Sequence, residues 1–250
     1  MIPFIISATK IIFLLGFLIF IHEFGHFSVA KLCNVTVNEF AIGFGPTIWT
    51  KQGKETKYAL RLIPLGGFVS MEGEEKKSDK EGSFSKASIP KRIAIVLAGA
   101  SVNILFAIVV YFILVATSGQ FQGIGESVKN AFLMTKEFIG SVIESLKLLV
   151  IGQVGVDQMM GPVGISEIVS KTNGIKEFVY MLSAISMSLG VTNLLPIPAL
   201  DGGKIVLLII EAIRKKPLDE KTEINVQLIG FSFLIALSIY VTFNDITRIF

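Results

Sequence analysis

The run from Ile93 to Ala116 carries no charged side chain. A bilayer core of about 30 Å needs roughly 20 mostly apolar residues in a helix, and this run meets that length. Lipid cannot hydrogen-bond a backbone, so a chain with such a segment crosses as helices or a closed barrel. Three more segments approach the same length, from about Phe4 to Leu32, from Phe178 to Leu200, and from Ile224 to Phe243. The expected fold is an all-α polytopic membrane protein with a small membrane-associated cytoplasmic β element. Its four transmembrane helices fall at about 4–32, 93–117, 178–213 and 224–244. Charged residues make up only 17% of the chain, against about 25% in soluble domains.

Charge placement orients the spans. Ten basic residues from Lys51 to Arg92 lie between the first and second, and Arg214, Lys215, Lys216 and Lys221 lie between the third and fourth. By the positive-inside rule both loops are cytoplasmic, so both termini face outward. Basic residues beside apolar runs speak for membrane flanks and against nucleic-acid binding. Met1 to Thr9 has no positive charge and no small-residue cleavage site follows, so the first apolar run reads as a retained helix. The single cysteine, Cys33, excludes an internal disulfide and reads as a small apolar residue near a helix end.

Two connections read as structured. Residues 35–71 are rich in β-branched and aromatic types. Thr47–Lys51, a Gln52-Gly53 turn and Glu55–Ile63 predict a hairpin, which is either a plain cytoplasmic loop or a sheet edge that takes an extended peptide. Glu72 to Lys86 is charged, lacks periodicity and is expected to be mobile. From about 126 to 151, apolar residues at helical spacing predict an external amphipathic helix. It lies on the membrane surface or packs against the spans.

The chemistry concentrates in His22-Glu23-Phe24-Gly25-His26. Histidines at i and i+4 share one helical face, so both imidazoles can reach one Zn²⁺. Glu23 beside them can take a proton from water. These are the chain's only two histidines, and they sit in an apolar span where ionisable residues mark function. A catalytic zinc needs a third protein ligand. Asp201 is the candidate, since Pro196, Pro198, Gly202 and Gly203 break the third span around it, and irregular backbone in a membrane belongs beside a cavity. Glu211 is the runner-up. Topology puts His22, His26 and Asp201 at similar depth, toward the cytoplasmic side.

Asn103, in the second span, and Asn193, before the break, need partners. Each is either interhelical glue or a hydrogen-bonding group for an unwound substrate backbone or the oxyanion. Gly161-Pro162-Val163-Gly164-Ile165 reads as a turn and helix start. A metal-binding transporter could use the same ligands, but it has no need of Glu23 between them.

HEFGH in the first span together with Asn193-Leu194-Leu195-Pro196-Ile197-Pro198-Ala199-Leu200-Asp201-Gly202-Gly203 in the third resembles the site-2 protease family of intramembrane zinc metalloproteases. The resemblance extends to Gly43–Pro46, Arg61–Val69, the GxxxN of Gly99 to Asn103, and Gly161–Ile165, and is closest to bacterial members of the RseP type. It implies zinc held by His22, His26 and Asp201, with Glu23 as general base and Asn193 near the substrate. It also implies that the hairpin region aligns substrate as an added strand. Substrates would be transmembrane proteins such as anti-sigma factors, or remnant signal peptides, cut in the bacterial cell membrane. Members of this type usually carry PDZ domains after the second span. Here only Ser118 to Gly123 separates that span from the amphipathic helix, leaving one membrane-embedded domain over 1–250, either compact by nature or shortened.

Overall fold

The computed structural model describes residues 2–118 and 123–249, with the side chains at 2–5, 64, 65, 150 and 249 left aside. The expected connection around Gln120 therefore lies outside the described residues. Among the described residues seven α-helices and two strands follow one another: α1 (Ile2–Leu32), β1 (Val37–Gln52), β2 (Lys57–Met71), α2 (Ile89–Ala116), α3 (Ile124–Val150), α4 (Pro162–Lys171), α5 (Ile175–Asn193), α6 (Asp201–Arg214) and α7 (Glu220–Ile249).

Among the described residues, three helices are long and apolar enough to cross a membrane: Ile6–Leu32, Ile89–Ala116 and Glu220–Arg248. The expected third span is not one helix. It forms α5 and α6, separated by the irregular stretch 194–200. Pro196 and Pro198 lack the N–H that would continue the ladder. α5 also carries Lys176, Glu177, Ser183, Ser186 and Ser188, which lower its hydropathy.

The chain divides into two compact units. One comprises residues 12–103 and 193–231. Its core joins Ala30 of α1, Val37 and Phe40 of β1, Val69 and Met71 of β2, Ile95 and Val96 of α2, and Leu208 of α6. α1 stops where Asn34 turns left-handed (φ 59°), a conformation asparagine tolerates at a helix end. Cys33 packs against this core, as its bland reading expects.

The predicted hairpin is present and larger than expected. Gly53 N–H donates to the Thr56 carbonyl at 2.9 Å across the turn, and Trp49, Thr50, Lys51 and Gln52 pair with Leu60, Ala59, Tyr58 and Lys57. Both strands bend, so Glu39–Ile42 lie between two neighbours. They pair with Lys57–Leu60, numbers rising in step, and with Ser70–Gly67, numbers opposed. This sandwiching buries Phe40 and Ala41. Toward the other end Phe44, Ile48, Trp49, Leu62 and Ile63 remain exposed. Among the described residues, the segment 67–71 has a strand on one side only.

Glu72–Lys86 makes contacts that its composition does not predict. Phe84 enters the core, Thr36 N–H donates to the Gly82 carbonyl at 2.8 Å, and Glu72 accepts from Ser78 Oγ at 2.7 Å. One buried aromatic and a polar net hold what periodicity could not reveal.

The second unit comprises residues 1–11, 104–192 and 232–250. The expected amphipathic helix is α3, whose Ala131, Met134, Phe138 and Val142 pack with Ala107 and Tyr111 of α2 and Met187 of α5. The Gly161–Ile165 motif has a clear local purpose. Gly164 N–H donates to the buried Asp245 carboxylate of α7 at 2.7 Å. A Cβ on Gly161 would sit 2.8 Å from Asp245 Oδ2 and 2.9 Å from Val241. The glycines thus let an anion meet the open amides at the start of α4. The segment from the end of α2 to α3 holds no strand among the described residues.

Candidate metal centre

HEFGH lies on α1, and the helical repeat brings His22 and His26 to one face with their Nε2 atoms 3.2 Å apart. The third element is α6. Asp201 is its first residue, and its Oδ2 lies 3.3 Å from His22 Nε2 and 3.5 Å from His26 Nε2. No other group of three or more metal-ligating side chains gathers among the described residues.

Small residues set this meeting. Gly202 and Gly203 have no room for a Cβ, because the Leu194, Leu195 and Ile197 carbonyls lie directly over them. Gly230 of α7 takes the Pro198 carbonyl in the same way. Ala199 is left-handed (φ 74°), and its N–H donates to Gln227 Oε1 at 2.7 Å. The broken stretch is therefore clamped, and its exit fixes where Asp201 starts α6. On the other side Gly25 allows α1 to approach α2, since a Cβ there would meet the Ala98 carbonyl at 2.5 Å.

The three atoms fit a zinc ion. Ligands about 2.0–2.1 Å from one tetrahedral ion stand about 3.3 Å from each other, and the observed separations are 3.2, 3.3 and 3.5 Å. Two imidazole nitrogens and a carboxylate oxygen form a donor set used by catalytic zinc with an open position. The space beside them is kept by an absent side chain. A Cβ on Gly99 would collide with His26 Nε2 and come within 2.8 Å of His22 Nε2.

The remaining expected residues fall differently. Glu23 lies on the sheet side of α1, its Cγ 3.1 Å from where a Cβ of Gly67 would stand. Asn103 is buried with its amide nitrogen 3.3 Å from His22 Nδ1. Asn193 ends α5 half-buried, and no hydrogen bond to the metal-ligand candidates is seen among the described residues. Glu211 is held elsewhere, by Arg92 of α2, whose Nη1 donates to Oε2 at 3.1 Å and Nη2 to Oε1. The runner-up ligand is thus paired with Arg92 and is not part of the group that His22, His26 and Asp201 form. Gly99 and Gly67 were missed as contributors, because only the crossing of α1 with α2 and with the sheet reveals them.

Next to Asp201 runs a groove of about 750 Å³. Its lining includes Phe68, Val69 and Ser70 of β2, Ala199 and Leu200 of the broken stretch, and Phe231 of α7. Lys204, one turn after Asp201, pairs with Glu74 at 2.6 Å along its rim.

Membrane-length helices with a largely enclosed His-Glu-x-x-His and carboxylate cluster define a membrane metalloprotease. The sequence profile of peptidase family M50 matches residues 10–237. The chain belongs to that family, the site-2 proteases, and is a zinc metalloprotease of the membrane. A Clostridium acetobutylicum protein bearing a zinc-metalloprotease name is 32% identical over 92% of this chain and 94% of its own length. Zinc metalloprotease RasP of Geobacillus kaustophilus is 24% identical over 98% of both chains. RasP of Bacillus licheniformis is 25% identical over 98% of this chain and 99% of its own. The alignment with the Geobacillus protein runs over 414 positions against a chain of 250 residues. That relative therefore has many residues with no counterpart here.

Proposed function

We propose that this protein hydrolyses peptide bonds of membrane-tethered substrates inside the bilayer, with zinc held by His22, His26 and Asp201. The observation that carries the reading is the near-tetrahedral spacing of the three ligand atoms. Zinc, when bound, supplies the Lewis acidity that makes water a nucleophile at neutral pH and polarises a carbonyl. Glu23 takes the proton from that water and returns it to the leaving amine. Its position against Gly67 sets it between α1 and the β2 edge, beside the path of a substrate.

The substrate joins β2 as an added strand along residues 67–71, which pair on one side with β1 and of which Phe68, Val69 and Ser70 line the groove. Backbone pairing gives affinity without demanding sequence. It also draws the peptide out of its helix, whose amides are otherwise shielded. Asn193 serves the unwound substrate backbone. The exposed apolar end of the sheet, with Trp49, suits a β element seated at the membrane interface.

In this reading α5, the clamped break and α6 make the fourth crossing. The basic loops face the cytoplasm of a bacterial cell, and both termini face out. The substrates are anti-sigma factors or remnant signal peptides. Residues 118–123 stand where a PDZ region is expected after the second span. The deciding experiment is metal-dependent cleavage of a tethered reporter by the purified protein. A protein that binds zinc but leaves every reporter intact, whatever its transmembrane sequence, would favour a metal carrier.

A further inference from the structure

We propose that one face of α2 forms the outer shell of the metal centre, and that Asn103 on it is the positioning residue that fixes the tautomer and orientation of His22. The proposal rests on the reading that His22, His26 and Asp201 hold zinc. The face is made of Ile95, Gly99 and Asn103, successive positions four apart, so they stack along the helix. Each does something different for the two imidazoles of α1.

His26 uses Nε2 toward the ligand cluster, and its Nδ1 lies 2.8 Å from the Ile95 carbonyl. A carbonyl only accepts, so Nδ1 carries the proton and Nε2 is left with its lone pair for the metal. Gly99 keeps the space beside both Nε2 atoms open. His22 likewise turns Nε2 to the cluster, and its Nδ1 is 3.3 Å from the Asn103 amide.

A neutral imidazole that ligates through Nε2 must carry its proton on Nδ1. His22 is then the donor in this pair, and Asn103 must be the acceptor. The amide nitrogen is the atom placed nearest, yet the amide's oxygen and nitrogen exchange by a half-turn of the terminal group. In the zinc-bound protein Asn103 turns Oδ1 toward His22, and the Nδ1–H···Oδ1 bond holds the ring. Asn103 is fully buried, so bulk solvent does not reach this bond. The GxxxN spacing acquires a physical meaning: vacancy for the ligand atoms at one turn, an acceptor for the ring behind them at the next. This differs from a role for Asn103 in binding substrate.

The test measures zinc affinity of the full-length protein in detergent by competition with a chromogenic chelator. The cobalt-substituted protein's absorption spectrum is recorded in parallel. Loss of an outer-shell partner typically weakens metal binding 10–100-fold. N103L, similar in size but without an acceptor, should lose that much and shift the cobalt spectrum. N103D restores an acceptor and should bind zinc within a few-fold of wild type, with the wild-type spectrum. A packing role would predict the reverse order, since a buried carboxylate is the harsher change. Wild-type affinity in N103L, with the loss confined to KM for substrate, would overturn the proposal. So would weak binding in N103D, which decides the matter even if N103L fails to fold. If wild type itself bound no zinc, the reading beneath would fall as well. Tight wild-type binding with an indifferent N103L removes only the assignment of Asn103.

Discussion

Arg92 and Glu211 close a two-pronged ion pair between α2 and α6, both side chains largely buried. The pair ties the far end of the helix that starts with Asp201 to the helix that carries Gly99. Breaking a buried pair by removing one partner costs about 3–5 kcal/mol, because the other charge is stranded. Arg92→Met should therefore lower the thermal midpoint sharply, and Arg92→Met with Glu211→Met should recover much of it. Zinc content of the folded protein should stay near wild type in the double variant. Loss of zinc there, with stability restored, would make Glu211 a ligand candidate again.

Gly99→Ala should abolish zinc binding, since its Cβ would meet the ligand nitrogens of both histidines. Gly140→Ala is the natural control. Gly140 lies exposed in α3, and a methyl group there would meet nothing within 4 Å. The change should stabilise by about 0.5–1 kcal/mol through helix propensity and leave zinc untouched. Elemental analysis after dialysis, with melting curves, checks both. Full metal occupancy in Gly99→Ala would mean that the helices part more easily than the contact implies.

Glu23→Gln should keep zinc and fold and lose about 10²–10⁴-fold in turnover. Glu23 is on α1 between the two histidines in sequence, with its Cγ turned toward Gly67, and the proposed function makes it the base. Near-wild-type cleavage by the zinc-loaded variant would assign the base elsewhere. By contrast, Asp201→Ala should lose metal and activity together, which separates a ligand from a base.

Much of this centre could be read from residue spacing, and the reasons for the rest are specific. The i, i+4 repeat of His22 and His26 is local geometry, and the proline–glycine break around Asp201 advertises itself. What Asn103 touches depends on how closely α1 crosses α2, which Gly25 and Gly99 permit but do not announce. The third span reads as continuous because Leu194, Leu195, Ile197 and Leu200 are apolar even though their backbone is not helical. The doubled pairing of Glu39–Ile42 escaped for a similar reason. Alternation predicts a strand but not how many neighbours it has. The Gly161–Ile165 motif stays silent until Asp245, far along the chain, arrives on its amides.

The sheet should loosen in acid. Burial alone would push the Glu39 carboxyl up, but hydrogen bonds from Arg61 at 2.9 Å and Lys57 at 3.4 Å hold it below its ordinary value of 4.5. A carboxyl depressed in the folded state stabilises at pH values above its unfolded pKa. That contribution fades as pH falls from about 4.5 through the lower folded value. Trp49, the only tryptophan, pairs with Leu60 next to Arg61, so its fluorescence reports this region. Wild type should show a transition below pH 4.5 that Glu39→Gln lacks. Identical acid titrations would detach the sheet's stability from this carboxylate.

Substrate sequence should matter through helix opening more than through side-chain fit. The groove beside Asp201 has an edge segment, Phe68 to Ser70, along one wall, and an edge accepts extended backbone. A transmembrane substrate must therefore give up helical hydrogen bonds before its amide reaches the metal centre. Gly lowers the cost of that opening by about 1 kcal/mol and Pro by about 3 kcal/mol relative to Ala in a helix interior. Where opening limits the rate, each 1.4 kcal/mol is about tenfold. In a matched series of tethered reporters, one Gly near the scissile bond should raise cleavage about fivefold over Ala. A Pro placed off the paired positions should raise it further, and a Leu-rich segment should be the slowest. Equal rates across the substrate series would show that opening is not limiting.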